Sequence, residues 1–245
     1  MDERYAQRIA ERRCEIVDRM TEALAASGRT LDQARLVAVS KTVGVPEVLT
    51  ALDAGYRTFG ENRPQELGRK LGALSFIEGL PDARFEMIGN LQTNKINAVL
   101  GRVDLIHSIG SRHLAEAVSS RAARRIDAGE LAAPQPVLIE VNVSGEETKG
   151  GFSPEEIRRA LPELQDLCGI RIEGLMTMAP RGNKDAARAC FAGLRELRDE
   201  LAKASGLPLA ELSCGMSEDF EVALMEGSTC VRLGRVVFDP AFAVL

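Results

Sequence analysis

Tryptophan is absent from this sequence, and aromatic residues make up only 4% of it. The core must therefore be built from aliphatic side chains. Only two histidines occur, and the five cysteines, Cys14, Cys168, Cys190, Cys214 and Cys230, lie far apart with no CxxC pair. That spacing argues against a zinc site, and the odd count argues against a complete disulfide framework. No apolar run reaches about 18 residues, and the start Met1-Asp2-Glu3-Arg4 is polar rather than signal-like. No membrane association is expected, and the reading is cytoplasmic. Lys and Arg number 31 against 36 Asp and Glu, so no basic excess points to nucleic acid. Any phosphate ligand must be held by a local site.

What is present is a regular alternation. A first helix is marked by Ile9, Ile16, Val17, Met20 and Leu24, with Gly28 as its stop. Eight short apolar runs follow: Leu36–Ser40, Arg57–Glu61, Phe85–Gly89, Leu105–Ile109, Val137–Val143, Ile170–Met178, Ala210–Cys214 and Thr229–Val237. Between them lie helical stripes, such as Leu114, Val118, Ala122 and Ile126, then Ile157, Leu161, Leu164 and Cys168, then Cys190, Leu194, Leu197 and Leu201. Ser153-Pro154-Glu155-Glu156 has the form of a capping box.

Strands alternating with helices imply a parallel sheet. Eight of them in 245 residues, close to the ~250 of a TIM barrel, favour a closed (β/α)8 barrel with an extra N-terminal helix. An open doubly wound sheet would need a glycine-rich fingerprint after its first strand, and none is there. No linker or low-complexity segment divides the chain, so residues 1–245 are expected to form one domain.

Chemistry in such a barrel belongs at the C-terminal ends of strands. The first strand ends Val37-Ala38-Val39-Ser40-Lys41. Period two places Val37, Val39 and Lys41 on one face, so Lys41 should point into the barrel mouth. A desolvated lysine there becomes a nucleophile for carbonyls and forms a Schiff base. The alternative is a lysine that simply reaches solvent.

Near the other end of the chain, Ser213-Cys214-Gly215-Met216-Ser217-Glu218-Asp219 leads from a strand into a helix carrying Phe220, Ala223 and Leu224. Free N–H groups at that helix start, close approach at Gly215 and the Ser217 hydroxyl would make a phosphate cradle. Gly215 as a turn glycine and Ser217 as a cap is the competing reading. Val231-Arg232-Leu233-Gly234-Arg235 follows the last strand, and Gly234 again permits close approach. Arg232 should face the barrel mouth, where a pyridine nitrogen, a phosphate or a carboxylate could accept from it. An internal salt bridge with Glu140 or Asp104 is the alternative. Asn62 either donates to a ligand or caps the helix that starts near Pro64. His107 and His113 lack metal-like spacing and read as structural; Met176 and Met178 read as barrel filling.

Taken together, these segments resemble the YggS/PROSC family of pyridoxal phosphate (PLP) homeostasis proteins. The matching stretches are LVAVSK (36–41), FGENRPQE (59–66), IGNLQTNK (88–95), IHSIGS (106–111), IEVNVS (139–144), GLMTM (174–178) and CGMSEDFEVALMEGSTCVRLG (214–234). They run in family order across nearly the whole chain. The resemblance implies the alanine racemase N-terminal barrel, or fold type III of PLP proteins, with PLP held covalently by Lys41. It implies a phosphate site near Ser217 and Gly234, with Ser213 and Gly215 on the same loop, and Arg232 by the pyridine nitrogen. Asn62 and Met176 match positions that line the cofactor. Departures are Phe85-Glu86 for the usual Trp-His, Gly110 for a frequent Asp, Pro64 for a common Val, and Arg235 where a small residue is common.

Two functions are then open. One is buffering and delivery of PLP, with PLP-dependent apo-enzymes as partners and the chain a monomer or weak dimer. The other is a racemase-like PLP enzyme of low activity. With Leu245 about seven residues past the last expected strand, the β-rich domain of alanine racemase-like enzymes is not expected. Neither Tyr5 nor Tyr56 sits at a strand end, and a cation at the pyridine nitrogen weakens the ring as an electron sink. These features favour cofactor handling over catalysis.

Overall fold

The computed structural model describes residues 2–146 and 148–242. Eight parallel strands form a closed barrel in sequence order: β1 (Arg35–Val39), β2 (Thr58–Glu61), β3 (Arg84–Met87), β4 (Leu105–Ile109), β5 (Gln135–Glu140), β6 (Ile170–Met176), β7 (Glu211–Ser213) and β8 (Cys230–Leu233). Closure comes from β1 lying against β8, in register from Arg35 opposite Cys230 to Ala38 opposite Leu233. The expected barrel is present. Most expected strands are longer than those found, because parallel pairing stops where the loops of the mouth begin.

The helices are α1 (Glu3–Ala26), α2 (Val45–Asp53), α3 (Pro64–Leu74), α4 (Arg112–Asp127), α5 (Pro154–Leu164), α6 (Lys184–Ser205), α7 (Phe220–Met225) and α8 (Arg235–Phe238). Between β3 and β4 the connection holds only a 3-10 segment, Thr93–Ala98. Helix α1 ends where expected, since Gly28 adopts φ +71°, a region glycine enters without strain. Its inward stripe of Ile9, Ile16, Met20 and Leu24 is buried, and it packs on α2, α7 and α8. The Ser153–Glu156 capping box starts α5.

Two expectations need correction. Val236 and Val237 do not extend β8: the chain turns at Gly234 into α8, whose Val236, Val237 and Phe238 are buried. Arg12 of α1 fixes that turn by donating to the Val236 carbonyl at 2.9 Å. The helix after β7 begins at Phe220, as its expected Phe220, Ala223 and Leu224 imply, and Asp219 rather than Ser217 stands at its N-cap. The α5 stripe stops at Leu164, and Cys168 is exposed.

Two apolar layers hold the molecule. The larger lies between sheet and helices and includes Ala38, Phe59 and Phe85, whose last two rings stack at 5.5 Å. The smaller is Leu105, Leu138 and Met176, which strand alternation directs into the barrel. Val37 also points inward, and Gly60 makes room for it: a Cβ at Gly60 would lie 2.9 Å from both Val37 and Ile88.

Candidate functional site

A cavity of about 460 Å³ opens at the C-terminal ends of the strands. Its wall includes Lys41, Asn62, Met176, Ser217, Arg232 and Gly234. Six of the eight residues singled out in the sequence therefore share one space, although they span almost 200 positions of the chain.

Lys41 lies just past β1, with Val39 beneath it in the same wall. Its side chain is exposed at the mouth and has no hydrogen bond or ion pair among the described residues. The desolvation expected of this lysine is therefore not found. The turn that carries it is anchored from behind. Ser40 donates to Glu61 at 2.5 Å, and the fully buried Lys70 of α3 pairs with Glu61 and donates to the Ser40 carbonyl at 2.6 Å. One carboxylate therefore pins the ends of β1 and β2, beside Lys41 and Asn62. Sequence reading missed Lys70, because a lysine inside an amphipathic helix reads as a solvated one.

Asn62 lines the cavity and makes no side-chain hydrogen bond among the described residues, while Arg63 occupies the N-cap of α3. The ligand-facing alternative is the one its placement favours. Gly89 lets β3 pass close behind it: a Cβ there would sit 2.5 Å from the Asn62 carbonyl oxygen.

Arg232 is buried at 6% exposure. It reaches no carboxylate among the described residues, so the bridge to Glu140 or Asp104 is not formed. Instead it donates to the Ser213 hydroxyl and, at 3.1 Å, to the Thr177 carbonyl. Glu140 has no side-chain partner among the described residues; burial raises its pKa, and the field of Arg232 opposes that rise. Met176 is buried in the wall against Leu105 and Leu138, and Met178 stands at the rim, 39% exposed.

The loops after β7 and β8 meet. The Ser217 hydroxyl accepts from the Val236 backbone N–H at 3.3 Å, and Glu218 pairs with Arg235 above it. Asp219 holds the first turn by accepting from the Met216 N–H at 2.6 Å; burial raises its pKa. A phosphate held here would meet the Ser217 hydroxyl and the backbone at Gly234.

Two candidates lie elsewhere. Ser213 is fully buried beneath the cavity, and its hydroxyl is engaged by Arg232 and His107. Gly215 faces α7 rather than the cavity. At φ +94° it has no room for a side chain, since a Cβ would lie 2.6 Å from that of Ala223. It is a packing and turn glycine.

The family model described as "Alanine racemase, N-terminal domain" matches residues 17–240. The class is thus that barrel, which the topology also displays. A pyridoxal phosphate homeostasis protein from Aquifex aeolicus is 41% identical over 230 residues, covering 93% of this chain and 96% of the relative. One from Pseudomonas aeruginosa is 36% identical, covering 94% of each chain. PipY of Synechococcus elongatus, solved with PLP bound, superposes with a TM-score of 0.76 at 35% identity, over 89% of this chain and 99% of that one. This chain belongs to the pyridoxal phosphate homeostasis protein family.

Proposed function

We propose that this chain binds PLP in the barrel mouth, bonds it covalently through Lys41, and buffers and delivers it to PLP-dependent apo-enzymes in the cytoplasm. The observation that carries this reading is an unpartnered amine, Lys41, sharing one cavity with Arg232 and with the paired loops at Ser217 and Gly234. Bound PLP supplies an aldehyde that condenses with primary amines. Lys41 is free to take that bond and, being exposed, free to give it up. Ser217 and the backbone at Gly234 would hold the phosphate, and Asn62 and Met176 would flank the ring. Arg232, already fixed by two protein acceptors, would set a cation at the ring and disfavour a proton there.

A racemase needs an acid and a base on opposite faces of a substrate carbon. Tyr56 is buried in the outer core beside Arg13, away from the cavity. The acidic wall residues are already engaged: Glu218 by Arg235, Glu221 by Arg19 and Asp219 by the Met216 N–H. Cofactor handling is therefore the better supported function. The test is borohydride reduction of the purified yellow protein, followed by peptide mapping. The reduced adduct is expected on Lys41 and lost in Lys41→Ala. An adduct found mainly on Lys95, Lys149 or Lys184 would refute the assignment.

A further inference from the structure

The barrel interior carries a chain of polar side chains running from its floor to the cavity. At the floor, Arg35 of β1 binds Glu86 of β3 at 2.6 Å and Glu211 of β7 at 3.2 Å. The second oxygen of Glu86 lies 2.8 Å from Nε2 of His107 on β4. Nδ1 of His107 lies 2.9 Å from the Ser213 hydroxyl. Ser213 in turn accepts from Arg232, in the cavity wall. Glu86, His107, Ser213 and Arg232 are all buried.

Valence fixes the direction of the bonds at the two ends of this chain, and charge decides the one between them. A guanidinium only donates, so Ser213 accepts from Arg232 and keeps its own hydrogen for Nδ1 of His107. In that arrangement Nδ1 is bare. A carboxylate only accepts, so the imidazole proton sits on Nε2, facing Glu86. A proton on Nδ1 would face a hydroxyl already receiving from Arg232, and would set a second cation beside that guanidinium. The surroundings agree. Burial pushes the His107 pKa down, against the pull of Glu86 and with the fields of Arg232 and Arg35 adding to it. Burial pushes Glu86 up, but its contacts with His107 and Arg35 outweigh this and hold it below the usual carboxylate range. Cys230 is the remaining titratable neighbour. Its donor atom comes within 4.8 Å of those of Glu86 and His107, yet Arg35 already occupies Glu86, so the cluster is disposed to hold a proton rather than a metal.

We propose that His107, held by Glu86 as the neutral Nε2–H tautomer, is a positioning residue that orients Ser213 and through it aims the Arg232 guanidinium at the ring of the bound cofactor. This rests on the PLP reading above and goes beyond it, because it assigns work to Glu86, the position where the sequence departs from its family. Three strands are thereby tied to the one residue that addresses the ring.

Two measurements test it. With only two histidines, a His113→Gln variant leaves His107 as the sole imidazole for ¹⁵N NMR in cofactor-free protein. The expected spectrum shows one bare and one protonated nitrogen, with the proton on Nε2, unchanged between about pH 5.5 and 8.5, around the ordinary imidazole pKa. An imidazolium or an Nδ1–H tautomer overturns the proposal. The second measurement compares binding of PLP with its 1-deaza analogue, which lacks the ring nitrogen. One hydrogen bond to a charged group should give the unmodified protein a preference of about tenfold or more. Ser213→Ala and His107→Phe should lose that preference while still binding the analogue, an effect that general loosening of the fold would not produce. Ser213→Ala removes a single oxygen and keeps the test open if His107→Phe fails to fold. Full preference retained in the variants overturns the proposal alone. A protein that binds neither ligand overturns the cofactor reading and the proposal with it.

Discussion

Replacing Lys70 with Met should destabilise the protein far more than an ordinary lysine substitution on a helix. Lys70 is 1% exposed and Glu61 is fully buried. The ammonium is bonded to Glu61 and, at 2.6 Å, to the Ser40 carbonyl. Removing it leaves Glu61 with only the Ser40 hydroxyl on one oxygen, while the other oxygen already lacks a partner. Breaking a buried pair from one side costs about 3–5 kcal/mol. At roughly 2–4 °C per kcal/mol for a chain of this size, the melting temperature should fall by about 6–20 °C. An exposed pair such as Arg69–Glu66 should instead cost about 0.2–1 kcal/mol. The double variant Lys70→Met/Glu61→Gln removes both charges and should recover a large part of the loss, as a double-mutant cycle in urea will measure. A single-variant loss under about 1 kcal/mol, or a double variant equal to the sum of its singles, would refute the buried-pair argument.

Three further outcomes follow from the site. Ser217→Ala should weaken PLP by about 1.5–3 kcal/mol and leave pyridoxal, which lacks the phosphate, nearly unaffected; equal losses in equilibrium titrations would place Ser217 away from the phosphate. Gly215→Ala should lower stability by at least about 1 kcal/mol, since it combines a positive φ with a Cβ 2.6 Å from that of Ala223; a melting curve identical to the parent's would contradict the packing role. In D₂O with L-alanine and other L-amino acids, the holo-protein should show little racemisation or α-deuteration, because a second positioned acid/base group, worth about 10²–10⁴-fold, is missing from the described cavity wall. Turnover of metabolic rate on any of these amino acids would overturn the cofactor-handling reading.

The fold was legible because its signals are local. Period-two runs separated by period-3.6 stripes need no knowledge of distant contacts, and eight of them in one chain leave little besides a barrel. The errors fell where two local readings compete. Val236-Val237-Phe238 is an apolar, β-branched run, and by composition it continues β8. It becomes helix because Arg12, more than 200 positions earlier, holds the Val236 carbonyl and the apolar side chains bury toward α1. Asp219 sets the start of α7. Its carboxylate ties up the Met216 N–H at 2.6 Å, so the segment from Gly215 to Asp219 is spent on a turn before the helix begins.

The site was legible in the same measure. Lys41, Arg232 and Met176 face the cavity because strand parity decides it, and parity is written in the sequence. Gly215 was left with two readings because glycine has two uses, close approach to a ligand and close approach to another element; the position of Ala223 shows the second. Ser213 ends β7 and lies beneath the cavity rather than in its wall. What could not be read at all is who holds Arg232. Its partners are Ser213, 19 positions away, and Thr177, 55 positions away, while His107 reaches Ser213 across 106. In an apolar barrel such distances would not matter, since any aliphatic residue of suitable size fills the space. Here the interior also carries polar groups, and each donor among them must find its own acceptor. Glu86 stood out only as a departure from its family, and His107 only as a histidine without metal spacing. Their contact becomes visible only when β3 and β4 set them side by side, with Arg35 reaching Glu86 from β1.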